Sequence, residues 1–325
     1  MRQNTKTSLS VMCVAGLAVG VFGAPAAAQV APGFIIENYA NVDQPRRMSF
    51  DPATGDLYVG QGDDTMQSPP INRVRASDRG VESWGSTLFD ADSVFFDATG
   101  AYTGTPGAVI VGSGMNGLWV VNPDQSVSPL VVPLDGFVNP TDFIVDSRDE
   151  LIFTDYEGGA LRELDHGALT VNTLEGGLSA TVEAIEMGPD GSVYTANRTG
   201  EIRLHDTTSG ISAIVRDDDA DEREYRWMTA ADERPGFADG LLVWDAASTE
   251  ILLFADFDFN SDPVVVGSGF TGVKDLAFGP DGALYVSSDF GEGGSILRLT
   301  LDPVPAPGAL AALGGFLAMG SRRRR

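Results

Sequence analysis

The chain has 325 residues, of which 46 are acidic and 21 are Lys or Arg, for a net charge of −25. So acidic a surface repels nucleic acid and anionic lipid, which argues against both as partners. The single cysteine, Cys13, lies in an N-terminal apolar run, so the rest of the chain has no disulfide, reactive thiol or Cys-based metal site.

The first element is short. Arg2 and Lys6 form a basic start, residues 9–22 are almost wholly apolar or small, and Ala26-Ala27-Ala28 precedes Gln29. That order of basic, apolar and small-residue segments predicts a secretory signal peptide over residues 1–28. The apolar run falls short of the ~18–20 residues a spanning helix needs.

A repeat follows. The segments Phe50-Asp51-Pro52-Ala53-Thr54-Gly55-Asp56-Leu57-Tyr58-Val59, Met187-Gly188-Pro189-Asp190-Gly191-Ser192-Val193-Tyr194 and Phe278-Gly279-Pro280-Asp281-Gly282-Ala283-Leu284-Tyr285-Val286 each read as strand, tight turn, strand. Asp-Gly and Pro-Asp-Gly supply the positive φ that such turns need. Weaker copies begin at Phe96, whose second strand follows an insertion, at Val145 and at Phe237. Taking the apolar residue before each turn as a marker gives positions 50, 96, 145, 187, 237 and 278, with steps of 41 to 50 residues. A third strand is expected at 118–121, 160–164, 201–204, 250–254 and 295–299, and no segment has a sustained helical period. Six such units predict an all-β six-bladed β-propeller of four-stranded blades over residues 29–302.

The chain closes on residues 303–325. Pro305-Ala306-Pro307 leads into thirteen apolar or small residues, 308–320, and then Arg322, Arg323, Arg324 and Arg325. As a helix those thirteen rise about 20 Å, less than a ~30 Å hydrocarbon core. The tail resembles the PEP-CTERM sorting signal of Gram-negative bacteria, with Pro-Ala-Pro in place of that family's Pro-Glu-Pro. The resemblance implies transient membrane contact, recognition and removal by an exosortase-like processing enzyme, and a location at the cell surface, outer envelope or outside the cell. The repeats, in particular Asp281-Gly282-Ala283-Leu284-Tyr285-Val286 followed by Ser295-Ile296-Leu297-Arg298-Leu299, resemble the NHL-repeat and senescence-marker/gluconolactonase class of six-bladed propellers. That class contains lactonases, lyases, sugar-binding proteins and pure scaffolds, so it implies the fold rather than an activity.

Removing the two ends sharpens the charge balance. They hold six basic residues and no acidic one, so the core carries 15 basic against 46 acidic residues, a net −31, with Lys274 its only lysine. The common hydrolase, nucleotide and zinc motifs are missing, and no catalytic residue is assigned. His166 and His205 each follow a third strand and read as solvated turn residues. Asp217, Asp219 and Asp221 alternate, but Glu222 stands where an EF-hand requires Gly, and a solvated loop is expected. Phe257 and Phe259, set between alternating acidic residues, read as one face of a strand edge.

One chemical option comes from the resemblance. Gluconolactonase-like propellers hold a divalent cation with side chains at the start of the innermost strands. The matching position, four residues before each marker, holds Arg46, Asp92, Thr141, Glu183, Glu233 and Lys274. Asp92, Glu183 and Glu233 suit oxygen ligation of Ca2+ or another divalent cation, and Asp142 and Asp275 follow one residue on. Arg46 and Thr141 depart from that family's set. The alternative is that these carboxylates are salt-bridged to Arg46, Arg47 and Lys274. The sequence therefore favours a binding scaffold for envelope polysaccharide or surface proteins, contacted through loops 61–72 and 101–107, over a metal-dependent lactonase.

Overall fold

The computed structural model describes residues 28–62, 71–85, 90–114, 117–131, 139–178, 181–234, 236–289 and 293–302. The residues expected to form the signal peptide (apart from Ala28), the sorting tail from 303 onward and positions 63–70 of loop 61–72 lie outside the described residues.

The turn chemistry sets the local structure. At Phe278-Gly-Pro-Asp-Gly the Gly279 N–H donates to Ala283 O at 2.9 Å, the Gly282 N–H donates to Gly279 O at 3.0 Å, and Gly282 takes φ +77°. A side chain at that φ would be strained, which is why the motif ends in glycine. The Gly188–Ser192 turn repeats the pattern.

These hairpins build six antiparallel sheets. Blade one comprises Pro45–Phe50, Leu57–Gln61, Ile71–Val74 and Val81–Trp84. Blade two comprises Ala91–Asp97, Ala108–Ser113, Gly117–Val121 and Val127–Val131, and blade three Pro140–Val145, Leu151–Asp155, Ala160–Asp165 and Thr170–Gly176. Blade four comprises Val182–Met187, Val193–Asn197, Glu201–Asp206 and Ile211–Asp217. Blade five comprises Tyr225–Ala230, Gly240–Asp245, Glu250–Ala255 and Val264–Ser268, with the short strand Gln29–Val30 added to its outer edge. Blade six takes Val273–Phe278, Leu284–Ser288 and Ser295–Leu301 from the end of the domain and Phe34–Asn41 from its start. The chain is a six-bladed β-propeller, closed by an N-terminal outer strand on a C-terminal blade.

Adjacent blades bury each other's faces. Tyr58 stacks on Phe96 with ring centroids 5.2 Å apart, and Phe50 meets Tyr285 edge-on at 4.9 Å. The second strands are wholly buried in most blades, and their β-branched residues sit where a two-sided core demands them. Close approach also dictates Gly112, where an added Cβ would lie 2.1 Å from Ser93 Oγ and 2.7 Å from Pro140 O.

Three expectations are corrected. The apolar residue before the blade-five turn is Ala230, paired with Leu241, because the loop to Gly240 is longer than in its neighbours; Phe237 lies inside that loop. Phe257 and Phe259 occupy a turn after Glu250–Ala255, where both pack on the Tyr194 ring. His205 is buried in a strand, with one ring nitrogen 2.7 Å from Thr195 Oγ1 and the other 2.8 Å from a Glu175 carboxylate oxygen. His166 is the exposed turn residue expected.

The insertion in blade two is rigid. The Asp97 carboxylate is 1% exposed and accepts hydrogen bonds from the backbone N–H groups of Gly100, Ala101, Tyr102 and Thr103 and from the Thr103 hydroxyl, at 2.8–3.1 Å. Replacing Asp97 by Ala leaves these donors without an acceptor. The expected loss of stability is about 2–4 kcal/mol, read as a lower urea midpoint with an unchanged m value.

Candidate functional site

The inner strands all begin at one mouth of the central channel and run to the other. The residues facing the first mouth are Arg46, Asp92, Thr141, Glu183, Arg226 and Lys274, one per blade. Five of the six follow from the turn spacing. In blade five the position belongs to Arg226, and Glu233 sits instead in the exposed loop after Ala230, where its N–H donates to Asp239 Oδ1 at 3.1 Å. The longer loop displaced the marker and with it the assignment.

One residue deeper, Arg47 crosses the channel. Its guanidinium donates to Thr141 O at 2.9 Å, Glu183 O at 2.8 Å and Asp275 Oδ1 at 2.6 Å, pairs with Asp142 Oδ2 at 2.9 Å, and lies 3.8 Å over the Trp227 ring. The two carboxylates are anchored in turn: Asp275 Oδ2 accepts from Met48 N–H at 2.7 Å, and Asp142 Oδ2 from Ile185 N–H at 3.0 Å. Burial pushes Asp142 up to about 7, with Asp275 adding to the shift and Arg47 opposing it. Asp275 is also raised by burial, against the pull of Arg47.

Glu183 is held differently. It is 4% exposed, and Arg226 reaches both of its oxygens, at 2.7 and 3.1 Å, while Arg198 donates to Oε1 from Nε at 3.0 Å and from Nη2. Burial alone would raise its pKa; the hydrogen bonds from the two arginines outweigh that and lower it. Asp92 pairs more loosely with Arg46, at 3.6 Å, and is pushed up to about 6 by burial and by the neighbouring Asp90. Lys274 pairs with Asp289 at 2.9 Å.

Arg47 with Asp142 and Asp275 forms a plug in the channel, with a cavity on either side of it. One of about 170 Å3 lies at the first mouth, lined by Arg46, Asp92, Glu183, Arg198, Arg226 and Lys274 among others. The second, about 810 Å3, opens at the other mouth between Phe50, Phe95, Phe143, Met187, Met228 and Phe278.

No protein-family model and no curated protein sequence matches the chain. Solved structures do. Regucalcin from Agrobacterium tumefaciens, a calcium-binding protein, superposes with a TM-score of 0.62 at 12% identity over 81% of this chain and 92% of its own. Virginiamycin B lyase from Staphylococcus aureus gives 0.59 at 12% identity over 83% and 100%. The PQQ-bound aldose sugar dehydrogenase of Streptomyces coelicolor gives 0.60 at 12% identity over 84% and 100%. The likeness is one of fold. These neighbours perform different chemistry on one frame, so the site must be judged on its own residues.

Judged so, the expected metal set is dispersed. Asp92 and Glu183 line the small cavity, Asp142 and Asp275 lie at the plug, and Glu233 lies outside the channel. Among the described residues, no three His, Cys, Asp or Glu side chains come together as a cation site. The ring that would hold the cation instead carries Arg46, Arg226 and Lys274, and a divalent ion there would meet three like charges. The residues present do not fit the group. Of the cations expected to pair with these carboxylates, Arg46 is found on Asp92 and Arg47 on Asp142 and Asp275, while Lys274 pairs instead with Asp289, outside that set. Arg198 and Arg226 were missed as partners of Glu183, because they lie 15 and 43 residues away with no pattern linking them.

The raised carboxyls have a consequence for pH. A carboxyl that binds its proton more tightly in the native state stabilises fully below pH ~4, and that stabilisation disappears as pH rises through its folded pKa. Asp92 and Asp142 therefore make the fold more stable at pH 5 than at pH 8, while His205, whose pKa burial lowers, works in the opposite sense. Asp92→Asn is expected to remove about 1–3 kcal/mol of the stability difference between these pH values, measured by urea unfolding at each.

Proposed function

We propose that the chain is an exported propeller that works as a binding scaffold at the cell surface or in the extracellular matrix. The observation that carries this reading is the commitment of the channel carboxylates to arginine. Asp142 and Asp275 neutralise Arg47, and Glu183 is clasped by Arg198 and Arg226. Polar groups used in this way hold blades in register and leave recognition to the mouths and loops. The loop fixed by Asp97 is one such rigid surface. Residues 1–28 supply the export signal, and Pro305, Pro307 and Arg322–Arg325 supply the sorting signal for an exosortase-like enzyme. Envelope polysaccharide and surface proteins are the partners this implies.

Two measurements test the proposal. An epitope tag placed after Asp302 is expected to be labelled by antibody on intact cells of a Gram-negative host; retention in the cytoplasm overturns the scaffold assignment. The alternative, a metal-dependent lactonase, requires a cation bound through Asp92 and Glu183. Millimolar Ca2+, Zn2+ or Mn2+ added after chelation is expected to leave Tm within about 1 °C. A rise of several degrees that disappears in the Asp92→Ala/Glu183→Ala double variant favours the hydrolase.

A further inference from the structure

Basic side chains are scarce in this protein, and their distribution is uneven. Fifteen lie outside the two terminal segments, and five of these, Arg46, Arg47, Arg198, Arg226 and Lys274, line the 170 Å3 cavity. They include the only lysine of the core. Around them the protein is overwhelmingly acidic, so five basic residues at one cavity is a concentration that composition alone does not predict.

The pocket also contains carboxylates, and the balance matters. Arg47 faces Asp142 and Asp275 and belongs to the plug. The other four cations share the cavity wall with Asp90, Asp92 and Glu183, and Asp289 reaches Lys274 from the rim. Four cations thus meet four carboxylates, an even formal balance; Asp92 is pushed up to about 6, so mild acid removes its charge and tips the cavity to net positive.

Glu183 arranges two of the cations. It engages the Nε–Nη2 edge of Arg198 and of Arg226, so each guanidinium keeps its Nη1 group on the far edge. Arg198 lies 5.2 Å over the Tyr156 ring and Arg226 5.7 Å over Trp227. Two planar donors held side by side by one buried carboxylate and backed by aromatic rings are pre-organised, which lowers the entropy lost on binding an oxyanion. The cavity has the volume of about six liquid waters, enough for one charged group and the few carbons that carry it.

We propose that this mouth binds the oxyanion, carboxylate or phosphate, of a small sugar-sized ligand through Arg46, Arg198, Arg226 and Lys274. The inference rests on the binding-scaffold reading and names its ligand class. Lys274 lies outside the plug and its partner Asp289 is partly exposed, so Lys274→Gln leaves no buried charge behind, whereas Arg46 pairs with the largely buried Asp92.

The test is calorimetric titration of the purified exported chain with galacturonate, its neutral counterpart galactose, and inorganic phosphate, at low and at 0.5 M salt. Galacturonate or phosphate is expected to bind and galactose not, with affinity falling as salt rises. Lys274→Gln is expected to weaken binding at least tenfold at unchanged Tm and Arg46→Gln to weaken it as much at a lowered Tm, while Lys274→Arg retains it. Galacturonate binding that phosphate does not displace assigns a carboxylate ligand, and displacement by phosphate assigns a phosphate-bearing one. Failure of both anions to bind, or equal binding by the Gln variants, overturns the proposal. If surface labelling on intact cells is still seen in that case, only the ligand class falls; cytoplasmic retention removes the scaffold reading itself.

Discussion

The Arg47 guanidinium is the interaction on which the ring depends. It issues from blade one, bonds to backbone or carboxylate groups of blades three, four and six, and stacks on Trp227 of blade five. A charge this deep is tolerable only where opposite charge and hydrogen bonds surround it, and removal of one partner leaves another stranded. Sheets related by rotation would otherwise meet at the axis through apolar and backbone groups alone, which are poor at fixing angle. A planar fork with several simultaneous acceptors is directional, so it ties blade one to blades three, four and five across the ring as well as to its neighbour, blade six.

Blade-to-blade bonds around the axis reinforce that centre. Ser93 donates to Pro140 O, Trp227 to Val273 O and Ser287 to Arg46 O, while Asp142 and Asp275 accept from backbone N–H groups of the next blade. The outer circumference is closed by Phe34–Asn41 lying against Ser295–Leu301. This pairing covers a strand edge that would otherwise be open to another chain. Closure at the rim and cross-bracing at the axis thus come from residues far apart in sequence.

Much of the fold was legible because blades repeat one turn, and the turn demands particular residues. Asp-Gly at 281–282 and 190–191 could be recognised without alignment, and counting back from it located five of the six ring residues. The method failed in blade five, where a lengthened loop separated Phe237 from the strand it was thought to end. It was also silent about Phe34–Asn41, which carries no turn of its own. The site was less legible than the fold. Acidic residues at the ring were visible, but their partners Arg198 and Arg226 lie on other strands, and ion pairing depends on proximity that local spacing does not encode. His205 was misplaced because Asp206 and Thr207 after it look like the start of a turn, whereas the strand runs on through Asp206.

The end of the domain has a bearing on orientation. Ser295–Leu301 runs in the same sense as the inner strand of its blade, so Leu301 lies on the side of the large aromatic cavity, close to Gly236. Gly33 and Asp302 are joined there by a backbone hydrogen bond of 2.8 Å, whereas Gln29, paired through Ser268 and Glu250 to the level of Tyr225, lies at the arginine-lined mouth, so the described chain begins on one side of the disc and ends on the other. Whatever is joined to the chain after Asp302 therefore starts from the side of the large aromatic cavity. The arginine-lined mouth lies at the opposite pole of the axis, on the side where the first described strand, Gln29–Val30, begins.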